Sequence, residues 1–187
     1  MTNAPEYIVD LIEDIFERRG AESYLGEEVT MAQHMLQAAQ CAEEAGADNS
    51  QIVAALLHDI GHYKNEIPES SLSKGINNFH EEAGANFLED YFPLSVVEPV
   101  RQHVATKRYL CAVDSNYFSL LSSASVDTLD LQGGAMSLKE VKEFECNDKP
   151  PTPDRDWFAE VGESETFELR IKEDKEFECN DNLTICH

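Results

Sequence analysis

Apolar residues recur at helical spacing in three N-terminal stretches: Ile8, Leu11, Ile12, Ile15 and Phe16; then Val29, Met31, Leu36 and Ala39; then Ile52, Ala55 and Leu56. Successive helical residues are turned by about 100°, so each set gathers into a stripe on one face. No strand-like alternation competes with these stripes. Turn signals follow them at Gly20 behind "ERR", Gly46 behind "CAEEA" and Gly61 behind "LLHDI", and a polar loop, "IPESSLSKGINN", covers residues 67–78. Further helices are predicted over 80–91, 94–108 and 114–130. Pro99 lacks an N–H and should kink or divide the second of these. The pattern predicts an all-α helical bundle.

After residue 145 the periodicity fades into "KPPTPDRD", which is proline-rich and charged. The string "KEFECND" occurs at 142–148 and again at 175–181, and two copies fall short of the roughly three units a solenoid needs. The expected organisation is a single domain, with a helical core over 1–145 and an irregular C-terminal extension over 146–187.

With 187 residues, 42% of them hydrophobic, the chain can enclose one core. Its 14 basic and 37 acidic residues give a formal charge of −23, which repels nucleic acid and anionic lipid, so neither is an expected partner. No apolar run is long enough to span a bilayer, and the acidic N-terminal stretch lacks the basic region of a signal peptide. Five scattered cysteines (Cys41, Cys111, Cys146, Cys179 and Cys186) form no C-x-x-C pair, which points away from a disulfide framework or thiolate zinc site. A reducing, cytoplasmic location is expected. Oligomeric state leaves no trace in the pattern.

Candidate chemistry sits in "AALLHDIGHY", where His58, Asp59 and His62 follow an apolar run. Burying such side chains without partners costs several kcal/mol, roughly 2–7 for even a neutral polar group. His34, His80 and His103 occupy other helical segments. Each alone reads as a structural histidine, but together they suggest ligands converging in a bundle core. Imidazole and carboxylate suit divalent iron, manganese, zinc or nickel. His58 and Asp59 are adjacent, so on a regular helix they point in different directions and cannot both face one ion squarely. A carboxylate has two oxygens, however, and can bridge two ions. His62, four residues after His58, shares its face.

The order His34, His58-Asp59, His80, His103 resembles the HD-domain superfamily of metal-dependent phosphohydrolases. A narrower likeness rests on "YLGEEVTMAQHMLQAA", "AALLHDIGHY", "FHEEAGANFL", "HVATKRYL" and "SSASVDTLDLQGGAM", spanning residues 20–145. These segments are similar to HD-domain mixed-valent diiron oxygenases that cleave the C–P bond of 1-hydroxy-2-aminoethylphosphonates, including the 2-trimethylammonio analogue.

The resemblance implies two irons, Fe(II) and Fe(III). His34, His58 and Asp59 would hold one, and Asp59 would bridge to a second held by His80 and His103. Tyr24 and Glu27 match the tyrosine and glutamate that cover the open iron position until substrate displaces them. His62, Lys107 and Ser125 match residues that contact the phosphonate. Read without the resemblance, Tyr24 is an amphipathic surface aromatic, Lys107 a solvated helix end, and Ser125 a cap or a hydroxyl bonding back to its own helix. The family's last carboxylate ligand follows an arginine, a short gap and a tryptophan. This chain departs there: "LRIKEDKE" is the nearest echo, nominating Asp174, with Glu173, Asp156 and Asp154 as rivals.

The implied reaction consumes O2 and a small phosphonate and releases phosphate with glycine betaine, or with glycine if the amine is primary. Overall similarity favours the trimethylated substrate. Tyr63, Phe79, Tyr109 and Tyr117 lie near motif residues as candidate cage aromatics. Two other readings stand beside this one: an HD phosphohydrolase acting on a nucleotide or small phosphate ester, and a catalytically silent module that senses a phosphorylated ligand.

Overall fold

The computed structural model describes residues 4–23, 29–64 and 75–146. Among these the fold is all-α. Its helices are α1 (Ala4–Arg19), α2 (Met31–Glu44), α3 (Asn49–Leu57), α4 (Gly61–Lys64), α5 (His80–Leu88), α6 (Leu94–Val113), α7 (Ser115–Leu120), α8 (Ser123–Leu131) and α9 (Leu138–Cys146). An isolated bridge pairs Ser23 with Thr30.

Local chemistry sets the helix starts. Thr30 caps α2 by accepting from the Gln33 N–H, while the Gln33 side chain accepts from the Thr30 N–H. Asp48 and Gln51 repeat this reciprocal arrangement at α3. Such caps satisfy backbone donors that would otherwise be orphaned, each worth about 1 kcal/mol.

The buried face of α2 (Met31, His34, Met35, Ala38, Cys41 and Ala42) follows the helical repeat and packs on α3. The long α6 lies centrally, against α3, α5, α7 and α9. Met35, Leu57, Ile60, Leu88, Val97 and Val100 meet in the core, and full burial of each such side chain contributes about 1.5–3 kcal/mol. Arg19 ties the end of α1 to α4: it clasps the Glu22 carboxylate and donates to the Tyr63 carbonyl at 3.0 Å.

Three expectations change. Pro99 sits in the second turn of α6 and does not divide it; the helix runs on to Val113. The stretch predicted as one helix over 114–130 is two, because Leu121 turns extended and the Ser122 hydroxyl caps a fresh start at α8. Gly61 opens α4 and does not close α3, which ends at Leu57. Residues 142–146 of the first "KEFECND" copy also join the bundle, since Phe144 on α9 stacks on Tyr109 of α6 with ring centroids 5.0 Å apart. The second copy lies outside the described residues.

Candidate metal centre

Because α3 ends at Leu57, the His58-Asp59 doublet occupies the turn before α4, one step outside the regular helix. From there both side chains converge, with His58 Nε2 3.2 Å from Asp59 Oδ2. The expectation that they could not face one point therefore fails.

Asp59 is the hub, and its two oxygens divide the imidazoles between them. Oδ2 lies 3.3 Å from His34 Nε2 and 3.2 Å from His58 Nε2. Oδ1 lies 3.2 Å from His80 Nε2, 3.5 Å from His103 Nε2 and 3.9 Å from His62 Nε2. Within each set the nitrogens crowd: His34 and His58 Nε2 are 3.1 Å apart, and His80 and His103 Nε2 are 2.9 Å apart. All six side chains are buried.

Backbone carbonyls aim two of the rings. His58 Nδ1–H donates to the Ala55 carbonyl and His103 Nδ1–H to that of Val100, both at 2.7 Å. Each bond fixes the tautomer and leaves Nε2 as the position that takes a proton or a metal ion.

The electrostatics match a cation site. Burial opposes ionisation of Asp59, yet the imidazoles, His58 first, hold its pKa well below the ordinary carboxylate value. Burial alone would lower His58, but the Asp59 carboxylate more than offsets this and raises it. Burial, then His80, drives His103 well down, and the same two causes push His62 down to about 3. Asp59 Oδ2 accepts no hydrogen bond although it is buried. A buried carboxylate oxygen without a hydrogen-bond donor, flanked by imidazole nitrogens, is what a divalent cation would satisfy. Two overlapping groups have donor atoms close enough to hold an ion: His34, His58 and Asp59, and Asp59, His62 and His80. The residues fit a metal site.

Beside the hub stands Lys107, buried within α6 and not at a solvated helix end. Its ammonium donates to Thr128 Oγ1 at 3.4 Å, and that hydroxyl donates to the Ser125 carbonyl. Burial pushes Lys107 down to about 8 against the opposing pull of Asp59. Ser125 is almost fully buried on α8, its Oγ 3.0 Å from that of Ser122. Sequence reasoning missed Thr128, although it lies one turn after Ser125 on the same face. It also missed Asn78, which sits in the polar loop between His62 Nδ1 and His80 Nδ1.

Of the candidate cage aromatics, Tyr63 lies under the Arg19 guanidinium, Tyr109 stacks on Phe144 and Tyr117 is buried, which leaves Phe79 exposed. Tyr24, Glu27, Asp174, Glu173, Asp156 and Asp154 lie outside the described residues. No helix among the described residues is long and apolar enough to cross a membrane.

Residues 31–117 match the HD domain family, a span that holds every converging imidazole and Lys107. A [1-hydroxy-2-(trimethylamino)ethyl]phosphonate dioxygenase (glycine-betaine-forming) of Leisingera caerulea is 54% identical over 140 residues, 75% of this chain and 71% of that protein. A hydroxymethylphosphonate dioxygenase of Gimesia maris is 45% identical over 127 residues, 67% of this chain and 63% of the relative. An uncharacterized protein of Acanthamoeba polyphaga mimivirus is 39% identical over 142 residues, 74% of this chain and 64% of the relative. With the histidine–aspartate hub inside the matched domain and two phosphonate dioxygenases among its relatives, the chain belongs to the HD-domain oxygenases that cleave carbon–phosphorus bonds.

Proposed function

We propose that this protein uses O2 to cleave the C–P bond of 1-hydroxy-2-(trimethylamino)ethylphosphonate, releasing glycine betaine and phosphate, and that it carries two irons, Fe(II) and Fe(III). The observation that carries the two-ion reading is the division of Asp59, one oxygen facing His34 and His58, the other facing His80 and His103. The substrate is supported by the 54% identity to the glycine-betaine-forming enzyme; the 2-amino analogue, yielding glycine, is the nearest alternative.

His34, His58 and Asp59 would hold one ion, and Asp59, His80 and His103 the other. Asp174 is the nominal last carboxylate, and Tyr24 and Glu27 would stand at the metal centre before substrate arrives. When bound, the irons would supply Lewis acidity and relay to O2 the four electrons that the substrate gives up. The C1–H and C1–P bonds break, and one oxygen atom of O2 ends in the carboxylate and the other in phosphate.

The remaining residues bind and orient the substrate. Lys107, Ser125 and His62 receive the phosphonate, and Thr128 holds the Lys107 ammonium in place. The chain's charge of −23 does not prevent this: surface charge is screened within about 8 Å at physiological salt, while a buried ammonium acts unscreened. A reducing cytoplasmic location suits the free Cys41, Cys111 and Cys146.

The test is phosphate release from the trimethylated substrate by iron-loaded protein, with and without oxygen. Release should require O2, with glycine betaine formed in equal amount and a mixed-valent diiron paramagnetic resonance signal. Release that continues unchanged without oxygen, or turnover of a phosphate ester with manganese alone, would assign the site to hydrolysis.

Lys107 gives a pH dependence. In the free protein its ammonium, held near 8, is charged below that pH and lost above it. Binding the phosphonate dianion favours the charged form, so kcat/KM should fall about tenfold per pH unit above roughly 8, while the limb in kcat moves higher. Lys107→Met should lower kcat/KM by about a hundredfold and erase the basic limb. A limb that persists in the variant assigns it to another group.

A further inference from the structure

The side chain of Asn78 is fully enclosed, and its amide lies between two imidazoles that stack on each other, His62 and His80, with centroids 4.2 Å apart. The amide oxygen can only accept, so the His80 nitrogen 3.2 Å away, Nδ1, carries a hydrogen. The amide nitrogen can only donate, so His62 Nδ1, at 3.3 Å, is the acceptor. A neutral imidazole holds one N–H. His80 therefore presents a bare Nε2 to Asp59 Oδ1, whereas His62 presents Nε2–H.

Two neighbouring features support this arrangement. The Glu81 carboxylate oxygen lies 3.6 Å from His80 Nδ1, a second acceptor charge on the side where the hydrogen sits. The backbone between Asn78 and His80 is held in an unusual shape: Phe79 has φ +51°, the left-handed region, and its N–H donates to Asn77 Oδ1. A bulky aromatic seldom adopts that conformation, which costs about 1–2 kcal/mol. Here it brings side chains two residues apart within hydrogen-bond reach of each other.

We propose that Asn78 is a positioning residue that locks adjacent His62 and His80 in opposite tautomers, making His80 a metal-binding nitrogen and His62 a hydrogen-bond donor to a bound oxyanion. The half concerning His62 rests on the phosphonate reading above; the half concerning His80 needs only the metal site. The lock also bears on why His62, grouped with Asp59 and His80 closely enough to serve as a ligand, is not one: its Nε2 carries the hydrogen.

The test compares Asn78→Asp and Asn78→Ala in the full chain, reading iron per chain, the Kd of inorganic phosphate for the iron-loaded protein, and nitrogen-15 shifts of the imidazoles in zinc-loaded protein. Aspartate only accepts. It keeps His80 Nδ1–H and so the iron content, but forces His62 to carry its hydrogen on Nδ1 and turn a lone pair toward the anion. Phosphate Kd should then rise about tenfold or more, and the His62 shifts should change tautomer while those of His80 do not. Alanine supports neither ring, so iron content and phosphate affinity should both fall.

The added negative charge of aspartate is separated by a His62→Phe background, where Asn78→Asp should no longer change phosphate Kd. A tenfold loss that persists there, unchanged tautomers in Asn78→Asp, or equal loss of iron in both variants would overturn the proposal. If wild-type protein binds iron but not phosphate, the phosphonate reading fails, while the shifts and iron content still decide the role of Asn78.

Discussion

Asp59→Asn should leave the protein folded and nearly free of metal, with turnover at background. The substitution preserves shape and removes the charge that both imidazole sets share. Asparagine also replaces one acceptor oxygen with an NH2 that competes for the lone pairs of His34 and His58, or of His80 and His103, depending on its flip. Loss of an outer partner of a metal ligand costs 10–100-fold in affinity, so loss of a shared inner carboxylate should cost about a thousandfold or more at each position. Metal analysis after anaerobic purification checks this, with circular dichroism as the control for folding. A thermal readout is independent of turnover. Chelation should lower the melting temperature of wild type, because a ligand bound only to the native state stabilises it, and should leave Asp59→Asn unmoved. Retention of metal by the variant would remove Asp59 from the centre of the site.

Gly61→Ala is the second large effect, and it acts through backbone. A Cβ at Gly61 would lie 1.8 Å from the His80 carbonyl oxygen and 2.6 Å from the Gly84 nitrogen. Neither atom is a flexible side-chain end, so α4 must move away from α5. That displaces His80, the first residue of α5, from Asp59, which lies two residues before Gly61. Overpacking usually costs about 1–3 kcal/mol, and contact this close with two backbone atoms should cost at least the upper figure. Denaturant unfolding should show the midpoint falling, and iron content should fall with it. Gly46→Ala is the contrast: a Cβ there meets nothing within 4 Å, and only its φ of +78° opposes the change, at about 1 kcal/mol. Equal destabilisation by the two would mean that the close approach of α4 and α5 is not what Gly61 serves.

The sequence made much of the hub visible, because His34 lies within an apolar stripe, His58 and Asp59 follow an apolar run, and His80 and His103 recur in later helical segments, a pattern that betrays a polar need inside the core. The stripes also revealed the all-α class and the three N-terminal helices. Periodicity reports which face of a helix is apolar, but not what covers that face. Lys107 shows the difference: in "TKR" it resembles a solvated end, yet α6 continues for six residues beyond it and Thr128 on α8 closes over its ammonium. The break between α7 and α8 was hidden because Ser122 is one serine in a run, and only the local backbone selects it as the cap. Asn78 was hidden for a related reason. It lies in a loop, where asparagine is ordinarily a turn former, and its value comes from two rings contributed by different helices.

The hydrogen bonds from His58 to Ala55 and from His103 to Val100 each span three residues of the same chain segment. Each ring is thus oriented by its own stretch of backbone and asks nothing of its neighbours to keep its heading. Outer parts of the bundle can exchange side chains or shift slightly without turning these two nitrogens away. A lineage could therefore rework the walls that meet the substrate, and so its choice of amine, while the core chemistry stays aimed.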